Sequence, residues 1–270
     1  MSENGAVAST KRLSIMDVRR LDEERERKEV EGEFAHPRWQ EMYANEYPPR
    51  FDKLCAAPIL QKLVLEESTF PQSGRCLVPG CGRGYDVTII ASATRYCLGV
   101  DIAPAAISSA RERLEQQFEM AQHLVVDPQP PLGSCEFKCA NFFDLDTEHP
   151  ENLFDLVYDY AFLSVLDPRI RKDWAAKMAK LVKIGGELTT VIWPIMTIAK
   201  ESGPPFSVTL EQVRDLLMPQ GFEIIELYTL SPELCHPGRD GLGGDNVPRS
   251  ALGRWRRIDL PDDYDHEFDG

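Results

Sequence analysis

The residues whose types and spacing could do chemistry gather around Arg75-Cys-Leu-Val-Pro-Gly-Cys-Gly-Arg-Gly-Tyr-Asp86. Arg75 to Val78 reads as a short buried strand, and Gly80, Gly82 and Gly84 follow as a turn that opens a helix. Glycine has no Cβ, so the backbone can pass φ > 0 and a ligand can lie directly against main-chain atoms. A dinucleotide fingerprint spaces its glycines G-x-G-x-x-G. Here the third glycine arrives one residue early and Tyr85 follows it, which argues against a pyrophosphate. The next apolar run, Tyr96-Cys-Leu-Gly-Val100, ends in Asp101, the place for a carboxylate that takes the hydroxyls of a bound ribose. A ribose without a pyrophosphate points to S-adenosylmethionine, and the rival reading is an ordinary tight turn between strand and helix.

The elements that must position these residues alternate. Strands are predicted at 75–78, 96–100, 136–140, 154–160, 187–193, 222–230 and 255–258. Helices are predicted at 58–67, 86–93, 103–121, 168–182 and 210–218, with Pro104 in a first turn and Gly185-Gly186 closing the helix from Pro168. Alternation of this kind argues for a doubly wound, mostly parallel sheet with its ligand beyond the carboxyl ends of the strands. Gly80, Asp101, Asn141 and Asp159 all fall at such ends. Trp39 and Tyr43 stand four apart, so one helical turn puts both rings on one face, either as core staples or as a lid for a cation.

The chain has 270 residues, enough for one large α/β domain, with 43% hydrophobic and 27% charged residues. Its 30 basic against 44 acidic residues give a formal charge of −14, which argues against a nucleic-acid partner. No apolar run approaches the roughly 18–20 residues of a membrane span. No basic region followed by an apolar core marks a secretory signal, so the cytosol is the expected location. The 7 cysteines form no C-x-x-C pair and the histidines are scattered, so neither a disulfide framework nor a metal site is indicated. Residues 1–35 read as a charged arm, flexible or helical, 36–260 as the folded domain and 261–270 as an acidic tail. His123 to Gly133, with three prolines, reads as a loop or insertion.

Leu77-Val-Pro-Gly-Cys-Gly-Arg-Gly-Tyr-Asp-Val87, Asn141-Phe-Phe143, Phe154-Asp-Leu-Val-Tyr-Asp-Tyr160, Gly203-Pro-Pro205 and Leu252-Gly-Arg-Trp255 resemble the thiopurine S-methyltransferase superfamily, above all its thiol and halide methyltransferases of plants and fungi. The resemblance covers about Trp39 to Ile258. It implies a Rossmann-like class I S-adenosylmethionine-dependent methyltransferase, with a seven-stranded, mostly parallel sheet and an antiparallel last strand. By position it implies that Gly80, Cys81 and Gly82 line the methionine part of the cofactor, that Asp101 holds the ribose, and that Ile102 packs beside adenine. Asn141 and Phe142 would meet the adenine edge and face. Asp159 and Tyr160 would stand near the methyl donor, and Trp39, Tyr43 and Phe51 would close over the cofactor.

Three positions depart from the family's pattern. Phe51 stands where many thiol-type relatives have Trp, Asn141 where an acid is common, and Tyr160 where the mammalian thiopurine enzymes have Arg. The last turns the expectation away from thiopurines.

Methyl transfer from a sulfonium is an in-line displacement, so the protein's main task is to hold the acceptor close with water excluded. The expected acceptor is a small thiol, Tyr160 its expected orienting group and Asp159 a positioning carboxylate. Trp193 and Phe206 are candidates for the acceptor wall. Halide methylation, a nicotinamide-dependent oxidoreductase and a cofactor-binding regulatory protein without turnover stand as rivals. Nothing demands a dimer, and a monomer is expected.

Overall fold

In the computed structural model the described residues are 36–45, 51–123, 134–196, 203–241 and 249–260. The expected charged arm 1–35, the proline-rich segment 128–133 and the acidic tail 261–270 lie outside them.

A single sheet organises these residues: β1 (Gly74–Pro79), β2 (Arg95–Asp101), β3 (Cys135–Cys139), β4 (Phe154–Tyr160), β5 (Val182–Ile192), β6 (Phe222–Thr229) and β7 (Ala251–Arg257). The spatial order of its seven strands is β3-β2-β1-β4-β5-β7-β6. The first five run parallel, and β7 inserts antiparallel between β5 and β6. The helices are α1 (His36–Asn45), α2 (Pro58–Glu66), α3 (Tyr85–Ile90), α4 (Pro104–His123), α5 (Phe162–Val165), α6 (Arg171–Leu181) and α7 (Leu210–Leu217). Among the described residues no helix is long and apolar enough to cross a membrane.

Both faces of the sheet are covered, as the continuous apolar runs in β1 and β4 require. Successive strand residues point to opposite faces. Leu77 and Val157 therefore join Trp174 and Met178 of α6 and Val213 and Leu217 of α7 in one core. Cys76, Val78, Leu156 and Tyr158 pack in a second with Leu60 and Leu63 of α2, Val87 of α3 and Ile107 of α4. The order reverses between β1 and β4, so their carboxyl ends diverge and leave a crevice there.

Three boundaries differ from the sequence expectation. The helix expected over 168–182 is a 3-10 turn, Pro168–Ile170, followed by α6. Strand β5 begins at once at Val182 instead of at Glu187 and carries Gly185-Gly186 within it. Val182 pairs with Phe154 while Glu187 pairs with Leu156, so the intervening residues form a bulge. Strand β7 starts at Ala251, not Trp255. Its Arg254 looks like a surface residue in the sequence, yet it is fully buried with Nε 2.8 Å from Glu187 Oε1.

Candidate active site

A cavity of about 460 Å³ opens at the carboxyl ends of β1, β2 and β4. That volume falls in the range of roughly 300–1,000 Å³ usual for small-molecule sites. Its floor is the turn after β1. Gly80 and Gly82 have φ of 60° and 53°, in the left-handed region that favours glycine. A Cβ on Gly80 would lie 2.5 Å from the Phe162 ring, and one on Gly82 2.5 Å from the Tyr43 hydroxyl. The turn is thus closed in from above by two rings, and any larger residue would push them out. Cys81 donates its N–H to Val100 O at 3.0 Å, which ties the turn to the end of β2. Burial and the nearby Asp101 push its thiol well above the usual range, so it stays protonated at neutral pH.

Asp101 ends β2 inside the cavity. Its Oδ2 accepts the Gly82 N–H at 2.9 Å and its Oδ1 the Ala103 N–H at 2.9 Å. Burial raises its carboxyl pKa, and backbone N–H groups of Ala103, Gly82 and Ile102 pull against that rise. Each carboxylate oxygen can accept more than one donor, so the group is held in place and keeps acceptor capacity at the cavity wall. Ile102 and Asn141 line the same end. Asn141 Oδ1 accepts the Phe143 N–H at 3.1 Å and so caps the 3-10 turn Phe142–Asp144. That cap presents Phe142 to the cavity, edge-on to Phe162 with ring centroids 5.3 Å apart.

The roof is aromatic. Trp39 and Tyr43 share one face of α1, and their rings meet Phe51 edge-on at 5.4 and 5.3 Å. Helix α1 is docked by Gln40, whose Oε1 accepts the N–H of Ala105 at 3.1 Å. Burial, then Asp101, raises the Tyr43 hydroxyl well above its ordinary range, so it stays a neutral donor. Trp39, Tyr43 and Phe51, with Gly80, Cys81, Gly82, Asp101, Ile102, Asn141, Phe142 and Tyr160, all line the same cavity.

Asp159 does not. It is 1% exposed, and its carboxylate accepts the N–H groups of Phe162 and Leu163 and the Trp174 indole N–H at 3.0 Å. Burial raises its pKa to about 7 despite those donors. The group expected near the methyl donor is therefore turned into the core, where it caps α5 and fixes the chain reversal at Ala161, whose φ is 58°. Asp159 is not among the residues that line the cavity. Phe206, a candidate wall residue, is also buried outside the lining, with its N–H on Ser164 O at 2.7 Å. Trp193 does line the cavity, and Pro204 and Pro205 stand there instead of Phe206.

The structure adds residues that sequence reasoning missed. Arg239 is 8% exposed, and its guanidinium lies 4.7 Å from the Tyr160 ring and 4.5 Å from the Trp193 ring. Its Nε and Nη1, and the Trp193 Nε1, have no hydrogen-bond partner among the described residues. His236 sits behind Tyr160 with Nδ1 against the tyrosine hydroxyl and Nε2 3.2 Å from Cys55 O. Asp86, on the opposite wall, accepts the Ala57 N–H at 3.0 Å and has its pKa raised to about 6 by burial. Arg83 and Asp52, 3.2 Å apart, close one rim. The available signal was slight: Arg239 and His236 stand in the glycine-rich loop after β6, where no motif marks them.

The arrangement fits S-adenosylmethionine. A glycine turn, a buried carboxylate at ribose position and an aromatic roof suited to a sulfonium occupy one end, and a cation with free N–H groups faces the other. Similarity to known proteins agrees. A family model, Thiopurine S-methyltransferase, matches residues 34–242. A probable thiol methyltransferase 2 of Arabidopsis thaliana is 36% identical over 200 residues, covering 74% of this chain and 76% of that protein. Thiocyanate methyltransferase 1 of the same plant is 33% identical over 220 residues, covering 82% and 84%. Among solved structures, the N-methyltransferase NodS of Bradyrhizobium japonicum with S-adenosyl-L-homocysteine has a TM-score of 0.51 at 17% identity, over 81% of this chain and 95% of that one. With strand order, cavity and sequence in agreement, the chain belongs to the thiopurine S-methyltransferase family.

Proposed function

We propose that this protein transfers a methyl group from S-adenosylmethionine to the sulfur of a small thiol. The observation that carries this reading is the two-ended cavity, with Asp101 and the glycine turn at one end and Tyr160, Trp193 and Arg239 at the other. The bound cofactor supplies an electrophilic methyl carbon on a sulfonium. Gly80, Cys81 and Gly82 line its methionine part, Asp101 takes the ribose hydroxyls, and Ile102, Asn141 and Phe142 flank the adenine. Trp39, Tyr43 and Phe51 close over it, keeping water out and favouring the cation. At the far end Arg239 and the Trp193 indole N–H offer donors to an electron-rich acceptor, and Tyr160 orients it. Asp159 acts at one remove, by holding the backbone that carries Tyr160.

The unpartnered N–H groups of Arg239 favour a second acceptor class on the same scaffold, small anions such as thiocyanate or a halide. Incubation with labelled S-adenosylmethionine and either 2-mercaptoethanol, hydrosulfide, thiocyanate or iodide separates the two. A methyl thioether from 2-mercaptoethanol or methanethiol from hydrosulfide supports the thiol reading, and transfer to thiocyanate or iodide alone replaces it.

A further inference from the structure

Tyr160 reaches the cavity and His236, 2% exposed, does not line it. The protonation of this pair follows from its partners. The Cys55 carbonyl can only accept, so His236 Nε2, 3.2 Å away, carries a proton. Burial and the Arg239 charge, with Lys53 beyond it, lower the imidazole pKa to about 4, so Nδ1 is bare at neutral pH. Nδ1 therefore accepts the Tyr160 O–H. The tyrosine proton is thereby committed to His236, and the phenol oxygen, beside the Arg239 guanidinium that also hydrogen-bonds it, keeps one lone pair for a further donor.

The carboxylates near the cavity are otherwise occupied. Asp101 holds backbone N–H groups at the cofactor end, Asp159 is in the core, Asp167 pairs with Arg169 at 2.9 Å and Asp52 with Arg83. Asp86 is the one competing basic group on the wall whose remaining oxygen has no partner among these contacts. A thiol of ordinary pKa, about 8.5, enters mostly protonated at neutral pH and must lose that proton.

We propose that Tyr160 and His236 together take the proton of a neutral thiol acceptor, a role that rests on the thiol reading above. As the acceptor sulfur bonds to the methyl carbon, the sulfonium's carbon–sulfur bond breaks and its electron pair stays on the departing thioether. The S–H proton passes to the Tyr160 oxygen while the Tyr160 proton passes to His236 Nδ1. The products are the methylated acceptor, S-adenosylhomocysteine, a neutral tyrosine and an imidazolium. The positive charge leaves the sulfonium and arrives on His236, so the site's total charge is unchanged beside Arg239. A weak base suffices, because the S–H becomes strongly acidic as sulfur gives up its lone pair, and a base of low pKa is not already protonated. His236 acts through Tyr160 and is its positioning and proton-accepting partner.

The test compares acceptors that carry a proton with one that does not. His236→Gln can offer an amide N–H to Cys55 O and an amide oxygen to Tyr160, but takes no proton. kcat/KM is measured at pH 6.5 for 2-mercaptoethanol and for thiocyanate in the wild type, in this variant, in Tyr160→Phe and in Asp86→Asn. The expected result is a fall of at least tenfold in the ratio of thiol to thiocyanate turnover for both His236→Gln and Tyr160→Phe. Wild-type turnover of the thiol should stay nearly level from pH 8 to pH 6, whereas His236→Gln should lose about tenfold per unit as the thiolate fraction falls. Equal losses on both acceptors would overturn the proposal and leave a structural role. A thiol-specific loss confined to Asp86→Asn would overturn it in favour of that carboxylate. No wild-type transfer to any thiol would overturn the thiol reading and the relay with it.

Discussion

His236 shows how one buried side chain makes stability depend on pH. In the unfolded chain its imidazole takes a proton below its ordinary 6.5, whereas in the native protein it stays neutral to about 4. The unfolded state therefore binds more protons across that window, and stability falls as the pH falls through it. This one residue should lower wild-type stability by about 3 kcal/mol between pH 6.5 and pH 4. Urea unfolding of His236→Gln should show a shallower acid slope, and an unchanged slope would mean that the imidazole charges freely. Asp159 carries a different cost. Asp159→Ala leaves two backbone N–H groups and the Trp174 indole N–H without their acceptor, and should destabilise by about 3–5 kcal/mol. Asp101 and the glycines were legible in the sequence because they stand in short motifs at strand ends, and Tyr43 was singled out by its four-residue spacing from Trp39, which left a core staple and a lid both open. Arg239 and His236 were not, because no local pattern marks a residue that reaches its partner only by tertiary closure.

Elements assemble the acceptor end from two distant segments. The strap at residues 51–55 meets the turn at residues 236–239 through Lys53 Nζ on Pro237 O at 3.1 Å, Arg239 Nη2 on Phe51 O at 3.5 Å and His236 on Cys55 O. Gly238 makes the turn with φ of 81°. The space around it is open, with Lys53 Nζ 3.8 Å from where a Cβ would stand, so backbone strain alone decides a substitution. Gly238→Ala should cost about 1–2 kcal/mol in stability. It should also raise KM for the acceptor by shifting Arg239, while S-adenosylhomocysteine affinity, set at the other end, holds in calorimetry. Strand β4 was readable residue for residue, since its apolar run is buried on both faces. Strand β7 was not, because the buried Arg254–Glu187 pair hides a core position behind a charge. The early start of β5 was hidden by Gly185-Gly186, read as a helix stop and in fact part of a bulge.

At the scale of the whole molecule, the alternating pattern announced a two-faced sheet, and with a core on each face the carboxyl edge is where the described residues line the large cavity. That edge holds both halves of the site, so cofactor binding should stabilise the native state. At 100 times its Kd, S-adenosylhomocysteine should add about 2.7 kcal/mol, read as a raised Tm. The proposed cofactor half was legible at its floor, because Gly80, Cys81, Gly82 and Asp101 stand at two neighbouring strand ends, while its other residues come from α1, the 51–55 strap and the turn after β3. The proposed acceptor half joins Cys55, Tyr160, Trp193, His236 and Arg239, which only the folded sheet brings together. The central claim, one cavity built for a ribose and a sulfonium and not for a dinucleotide, is tested most directly by calorimetric titration of the wild type and Asp101→Ala with S-adenosylhomocysteine and with NAD. The account predicts binding of S-adenosylhomocysteine by the wild type, at least tenfold weaker binding by Asp101→Ala, and no heat with NAD. Binding of NAD by the wild type with S-adenosylhomocysteine silent would contradict it.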